Sequence, residues 1–426
     1  MEQFVIEGGH PLHGEVTISG NKNAALPLLA ACLLTDEEVT LDNVPEIEDV
    51  RIMCQLLVDL GVDIRQNGPH QLVVRAANVT KAALSPELCR KIRASILLAG
   101  PMLARCNQVD LPLPGGDVIG RRRVDTHLLA LQALGAEIKV NAGYSMRAPR
   151  LHGQDILLDE TSVTATENAL MAAVTAEGTT VIRNAASEPH VQDLANFLNL
   201  LGARVEGIGS NTLTVHGVDK LGGGRFRIGP DYIETGSFIG LGAVTGGDLL
   251  IRDGGPEYLR MVLLMFRRLG VEVEIRGDDI YVPWRQPLEI LADVHGAIPK
   301  IDDAPWPNFP ADLMSIALTV ATQARGTVLF HEKMFESRLF FVDKLVAMGA
   351  HIVLCDPHRA VVIGPAQLHG EQMESPDIRA GMALLIASLC ARGKSIIRNI
   401  GQIDRGYERI EQKLLELGAH IERVKV

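Results

Sequence analysis

Six times along the chain, an apolar stretch with helical spacing runs into Leu-Gly or Met-Gly and then into a short alternating stretch. The copies are QLLVDLGVDI, ALQALGAEI, NFLNLLGARVE, LMFRRLGVEVE, DKLVAMGAHI and QKLLELGAHIERV. Their glycines, Gly61, Gly135, Gly202, Gly270, Gly349 and Gly418, lie 74, 67, 68, 79 and 69 residues apart. Apolar positions at i, i+3 and i+4 before the glycine and alternation after it predict a helix that ends on a C′ glycine and feeds a strand. A second phrase recurs between these copies, as EGTTVIRNA, GGDLLIRDG, RGTVLFHEK and RGKSIIRNI. Its β-branched residues predict strands, and the runs MAAVTAEG and MALLIASLCARG before two of them predict helices. A unit of about 70 residues is larger than a solenoid repeat and too small for a large core of its own, so several units must pack around a shared centre. The expected fold class is α/β, with six units in two groups of three. The first group ends near residue 229, with Gly222, Gly223 and Gly224 as the joint. The opening stretches FVIEGG and EVTISG precede the first helical copy and are free to pair elsewhere in the chain.

A chain of 426 residues, 47% hydrophobic and 22% charged, has material for two or three domains with substantial cores. Lys and Arg number 41 against 52 Asp and Glu, a net charge of −11, which disfavours nucleic acid and anionic lipid as partners. A local basic cluster in such a chain needs a small, enclosed anion as its target. The apolar stretch from Ala24 to Leu34 is 11 residues long, contains Pro27 and runs into acidic residues, so no membrane span is expected. The start MEQFVIEGG lacks a basic region followed by an apolar segment, and the cytoplasm is the expected location. Six scattered cysteines, with no CxxC pair, fit buried thiols in a reducing compartment and no metal site. Neither GxGxxG after a first strand nor GxxxxGK[ST] is present, which argues against the ordinary nucleotide folds. No cofactor is expected, and the chain is expected to act as a monomer.

Charged residues stand where a core is expected. SGNKNAALPLLAACLL sets Lys22 and Asn23 at the start of an apolar helix, where a cation opposes the helix dipole. An anion held jointly by Lys22 and the free N–H groups answers that penalty; a solvated turn is the alternative. RKIRASILLAGPMLAR places Arg93 in a similar position. In LPLPGGDVIGRRRVDTH, Asp117 lies between Gly115-Gly116 and Arg121, Arg122 and Arg123, on a loop that Gly120 also loosens. Such a loop can close over a ligand, and Arg122 carries a fork suited to phosphate or carboxylate; a surface loop with local ion pairs is the alternative. DDAPWPNFPADLMS offers Asp302, Asp303 and Asp312 as bases or helix caps, with Asp312 favoured as a base because three prolines fix its approach. FESRLF adds Arg338, SPDIRAGMALLIA adds Asp377 and Arg379 at a helix start, and IDRGYERIEQKLLELG adds Asp404 and Arg405, with Arg405 also expected near a helix N-terminus. Together they call for a small substrate with more than one negative group.

At these residues the chain resembles the enolpyruvyl transferases, in particular those that act on UDP-N-acetylglucosamine. The resemblance spans nearly the whole chain through GEVTISGNKNAALPLLAA, RASILLAGPMLAR, LPGGDVIGRRRVDTHLLALQALGAEI, AEGTTVIRNAASEPHVQDLANFLNLLGA, FPADLM, FESRLF, PDIRAG and IDRGYERIEQKLLELGA. It implies a two-domain inside-out α/β barrel of six βαβαββ-type units, three per domain, with helices inside and sheets outside. The implied division is 22–229 for one domain and 1–21 with 230–426 for the other, closing around UDP-N-acetylglucosamine and phosphoenolpyruvate.

By matching motif, the resemblance implies that Lys22, Arg122 and Arg405 contact phosphoenolpyruvate, that Arg93 and Arg379 assist, and that Asn23 and Asp312 contact the reacting sugar. It further puts Arg123, Val124, Asp125, Thr126 and His127 at the uridine end, Ser162, Val163 and Thr164 near the diphosphate, and Asp377 near the reacting centre, with Arg338 among the substrate contacts. Asp312 is the implied base for the sugar 3-hydroxyl, and Asp117 the implied acid at a position where the family usually has cysteine. The epoxide fosfomycin alkylates that cysteine, so a chain with Asp117 is expected to be insensitive. The chain departs from the family pattern at Arg123, where proline is common, at Glu160, where lysine often helps bind the diphosphate, and at Thr164, often glycine. The sister reaction on shikimate 3-phosphate, transfer to another UDP-sugar and a noncatalytic binding protein are the rival readings.

Overall fold

The computed structural model describes residues 2–116, 120 and 123–425. Among these the chain falls into two compact units, one of residues 20–116 and 123–229, the other of 2–19, 120 and 230–425. Each has its own apolar core.

All six repeat glycines adopt positive φ, between +76° and +105°. At each, two hydrogen bonds close the preceding helix in the same way. Gly61 N donates to Val58 O and Val62 N to Leu57 O, and the pattern recurs at Gly135, Gly202, Gly270, Gly349 and Gly418, with every bond 2.9 or 3.0 Å long. This pair of bonds satisfies carbonyls that a helix end otherwise leaves bare, and a β-carbon at the glycine would oppose the backbone angle it requires. The leucine or methionine just before each glycine is buried, so the same residue that caps the helix also anchors it to the core.

The helices between these copies are buried on nearly all sides. In the second unit these are Tyr232–Thr245, Met314–Ala321 and Ile378–Cys390, which pack on one another; in the first, Lys22–Ala31 and Val163–Ala173 play the same part. A helix that is apolar all round has no face for water and must be wrapped by others. The sheets do the wrapping. In the fifth unit, strand Lys300–Asp302 runs parallel to Gly326–His331, which pairs antiparallel with Arg359–Gly364, which in turn pairs with His351–Asp356.

Three sheets borrow a strand from far along the chain, which corrects a contiguous cutting into 70-residue pieces. Glu2–Gly8 lies between Gly393–Arg398 and His420–Lys425 and completes the sixth sheet. Gly14–Thr17 pairs in parallel with Leu249–Arg252 of the fourth. Gly224–Arg227, read from sequence as part of a joint, is a strand that returns to pair in parallel with Glu38–Asp42 of the first. Each of the last two is therefore followed in sequence by the buried helix of the other unit. The second sheet has three strands, with Ala83 bridged in parallel to Asp110 where an edge strand stands in the others. Among the described residues, no helix is long and apolar enough to cross a membrane.

Candidate active site

In the unit built on residues 20–229, Lys22 is the first residue of helix Lys22–Ala31 and is only 7% exposed. Asn21, one of the two asparagines beside Lys22, is the cap: its Oδ1 accepts from Asn23 N at 2.8 Å and Ala24 N at 3.2 Å. The ammonium of Lys22 meets Asp49 Oδ2 at 2.7 Å. Asp49 lies in the first turn of helix Glu48–Asp59, where the dipole favours a carboxylate. The charge of Lys22 is thus partly offset inside the protein by Asp49. The signal was in the sequence as IEDVRIM, but nothing local ties Asp49 to Lys22.

The segments 123–127 and 162–164, 35 or more residues apart in sequence, meet. Thr126 Oγ1 donates to Asp159 Oδ1 at 2.7 Å, and the His127 ring reaches Thr164 Oγ1 at 3.0 Å. Asn168 fixes that ring. Its Oδ1 accepts from Gly100 N at 2.7 Å, while Nδ2 donates to Ile96 O and, at 2.9 Å, to His127 Nδ1. His127 therefore carries its proton on Nε2 and donates it to Thr164. Burial, with the Arg93 charge adding to it, pushes its pKa down to about 3, so His127 is a neutral donor. Val124 precedes helix Asp125–Ala133, and Ser162 caps helix Val163–Ala173 by accepting from Ala165 N at 3.4 Å.

Arg93 opens the turn Arg93–Leu98 and donates to Arg123 O at 3.3 Å. Arg123 Nε meets Asp125 Oδ2 at 3.0 Å, and Asp159 and Glu160 add to the field that raises its pKa. Arg123 is exposed, and its ion pair is with Asp125. Gly115 is required by close approach: its N donates to Cys89 O, and a β-carbon would overlap Arg90 O. Asp117, Arg121 and Arg122 lie outside the described residues.

The other unit centres on Asp312. It sits in the turn Ala311–Leu313 after Pro310, and its side chain caps no helix. Its Oδ1 accepts from Arg338 at 2.9 Å, and its Oδ2 from Arg379 Nε at 3.1 Å and NH2 at 3.0 Å. Both arginines are almost fully buried. Burial opposes the charge of Arg379, but Asp312, with Tyr407 and Asp231, more than offsets it and holds the guanidinium above its usual range. Arg338 is likewise held up against burial by Asp312, Glu332 and Asp377. Arg338 Nε and Arg379 NH1 remain buried with no hydrogen-bond partner among the described residues. Two unsatisfied cationic donors beside one carboxylate can bind an anion and let the carboxylate act on a neighbouring proton.

Asp377 caps helix Ile378–Cys390, accepting from Arg379 N at 2.8 Å and Ala380 N at 2.9 Å. Arg405 stands at the C-terminal end of the short helix Gly401–Asp404, with NH1 donating to Gln402 at 3.0 Å, which corrects its expected place at a helix start. Asp404 is taken by Arg423. Asp302 pairs with Lys300 and Lys333, and Asp303 is buried against the backbone N–H groups of Lys333 and Met334. Tyr407 and Asp231 were missed by sequence reading. The Arg379 guanidinium lies over the Tyr407 ring at 5.4 Å, and the tyrosine hydroxyl pairs with Ser237 at 2.9 Å. Among the described residues no group of three His, Cys, Asp or Glu is placed to hold a metal ion.

Comparison with known proteins gives the family and the fold. Residues 6–414 match the EPSP synthase (3-phosphoshikimate 1-carboxyvinyltransferase) family. The chain is 58% identical over 422 residues to the UDP-N-acetylglucosamine 1-carboxyvinyltransferase of Bradyrhizobium diazoefficiens, covering 99% of this chain and 98% of that one. It is 55% identical to the protein of that name from Treponema denticola, covering 99% of each, and 53% identical to that from Borreliella burgdorferi, covering 100% of each. The enolpyruvyl transferase NikO from Streptomyces tendae shares the fold, with a TM-score of 0.89 at 24% identity over 100% of this chain and 99% of that one. EPSP synthase from Acinetobacter baumannii shares it at a TM-score of 0.77 and 18% identity, covering 100% of both. At those identities the two structures speak to the fold alone.

Proposed function

The chain belongs to the EPSP synthase family, and we infer from that premise that it works as a carboxyvinyltransferase on UDP-N-acetylglucosamine. It transfers the enolpyruvyl group of phosphoenolpyruvate to that sugar nucleotide, the committed step of peptidoglycan precursor synthesis. The full-length identities of 53 to 58% are all to proteins named for the UDP-sugar reaction, which favours that acceptor over the shikimate of the family's name.

The observation that supports the assignment of roles is Asp312 between Arg338 and Arg379, each guanidinium keeping one buried donor free. A carboxylate gripped by two cations is a poor base. An anion that engages Arg379 NH1 and Arg338 Nε draws off part of that charge and returns basicity to Asp312. We therefore assign Asp312 as the base that takes the proton of the sugar 3-hydroxyl, active only when phosphoenolpyruvate is bound. The hydroxyl oxygen bonds to C2 of the enolpyruvyl group while its methylene gains a proton from Asp117. The tetrahedral ketal then loses that proton and expels phosphate. Lys22, Arg93, Arg122, Arg379 and Arg405 are assigned to the phosphate and carboxylate charges, in the manner of preorganised electrostatic stabilisation. Asn23 is assigned to the sugar, and the cluster of Thr126, His127, Ser162 and Thr164 to the nucleotide, with neutral His127 holding Thr164 in place.

The test is phosphate release and mass detection of product by the purified protein, with phosphoenolpyruvate and either UDP-N-acetylglucosamine or shikimate 3-phosphate. An enolpyruvyl adduct of the UDP-sugar is expected. Release with shikimate 3-phosphate alone would overturn the reading.

A further inference from the structure

Strand Lys300–Asp302 pairs in parallel with Gly326–His331, with Asp302 opposite His331. The next residue on each strand is a carboxylic acid, so this register delivers Asp303 and Glu332 together one step beyond the last rung. Both are 0% exposed. Asp303 Oδ1 accepts from Lys333 N at 2.5 Å and Oδ2 from Met334 N at 3.3 Å; Glu332 Oε1 accepts from Phe335 N at 3.2 Å. Glu332 Oε2 is buried and finds no donor among the described residues, and the strand register sets the Asp303 carboxyl beside that of Glu332. Two ionised carboxylates cannot share a dry site at contact, whereas one proton on Oε2 turns the repulsion into a hydrogen bond.

We propose that Asp303 and Glu332 share a single proton, and that this acid pair is the positioning element that sets Arg338 on Asp312. The connection is short. The pair holds three successive backbone N–H groups, those of Lys333, Met334 and Phe335. The Phe335 ring lies under the Arg338 guanidinium, 4.8 Å from its centroid, and Arg338 donates to Asp312. Arg338 also lies within the field of Glu332 and keeps its Nε unsatisfied. An ionised Glu332 would therefore both loosen the turn and compete with Asp312 for the guanidinium. The charged groups facing Glu332 are Asp303 and Arg338; the His358 ring bonds to its carbonyl oxygen at 2.7 Å, and the Lys333 amine is committed to Asp302. Burial first, and then the Asp303 hydrogen bond and charge, push the Glu332 pKa up to about 9, in keeping with a protonated acid at neutral pH.

The effect on turnover rests on the reading of Asp312 as the base, but the proton itself is tested without it. A carboxyl whose pKa is raised on folding contributes stability that is full below its unfolded value and is lost as pH rises. Thermal midpoints of the wild type should fall between its ordinary value of 4.5 and about 9. Glu332→Gln keeps a permanent donor toward Asp303 and lacks this loss, so its midpoint relative to wild type should climb with pH and level off near 9. In turnover of UDP-N-acetylglucosamine and phosphoenolpyruvate, Glu332→Ala should lose kcat by roughly 10- to 100-fold through a misplaced Arg338. Glu332→Gln should restore it and retain it at alkaline pH where the wild type declines. A midpoint difference that is flat from pH 5 to 10 would overturn the shared proton. Equal kcat in the Gln and Ala variants would overturn the positioning role. Wild-type protein with no turnover of these substrates would instead overturn the functional reading, and the midpoint comparison would still read the pair.

Discussion

Arg379 grips one oxygen of Asp312, Oδ2, through two nitrogens, Nε at 3.1 Å and NH2 at 3.0 Å, while Arg338 holds the other, Oδ1, at 2.9 Å. Asp312→Asn keeps an oxygen for this grip and removes the base, so kcat should fall by roughly 100-fold or more with folding intact. Asp312→Ala should in addition cost about 3 kcal/mol, because two buried guanidinium groups lose their shared counter-charge. Steady-state kinetics and denaturant titration of the two variants separate these effects. Near-normal turnover by the Asn variant from pH 6 to 9 would leave Asp312 only an ion-pair role.

Lys22 and Asp49 form the corresponding pair in the other unit, at 2.7 Å with both side chains largely buried. Lys22→Ala should cost about 3 kcal/mol by removing the ammonium that Asp49 faces, and the double variant Lys22→Ala with Asp49→Ala should recover much of that. Phosphoenolpyruvate use should remain impaired in both, while UDP-N-acetylglucosamine affinity by calorimetry changes little. Recovery of turnover in the double variant would show that Lys22 serves Asp49 and not the substrate.

His127 should remain neutral across the working pH range. Its folded pKa of about 3 lies below the ordinary value of 6.5, so its contribution to stability is present above 6.5 and is lost as pH falls toward 3. The loss is about 1.4 kcal/mol for each unit of separation actually realised. Ring carbon and nitrogen shifts of His127 should show no titration between pH 5 and 8. A midpoint near 6.5 would mean that Asn168 and Thr164 do not hold the tautomer inferred here.

The repeat was legible because it is written in local chemistry. A glycine after a buried leucine or methionine is what a helix end of this kind requires, and all six positions adopt the angle. Strand partnership was not legible for Gly14–Thr17 and Gly224–Arg227. Each is followed in sequence by one unit's buried helix and hydrogen-bonds in the other unit's sheet, and side-chain pattern carries no address for that choice. At the site, motifs found the residues that carry charge, but not those that hold them. Asp49 meets Lys22, Asn168 meets Gly100, Ile96 and His127, and Tyr407 meets Ser237, each across a long sequence separation, and a polar residue among apolar ones looks the same in sequence whether it meets a partner or a solvent gap. Asp303 was read, with Asp302 and Asp312, as a base or a cap; the register that sets it beside Glu332 exists only in the folded sheet.

The last prediction concerns Asp117, which the resemblance assigns as the acid and which lies outside the described residues. Fosfomycin needs a thiolate, and the cysteines elsewhere do not supply a ready one. Burial raises the thiols of Cys54 and Cys390 to about 12 and that of Cys89 to about 11, and it raises those of Cys32 and Cys106 as well. Cys355, the exposed one, lies in strand His351–Asp356, far in sequence from the loop. The unsubstituted protein should therefore turn over normally after incubation with the epoxide and show no adduct by intact mass. Asp117→Cys should retain activity, since a thiol can also deliver a proton, and should gain time-dependent inactivation with one adduct per chain. Asp117→Ala keeps the neighbouring arginines and lacks the acid, so its kcat should drop by roughly 100-fold or more. A covalent adduct with loss of activity in the unsubstituted protein, or full turnover by the Ala variant, would remove Asp117 from the proton-donor role.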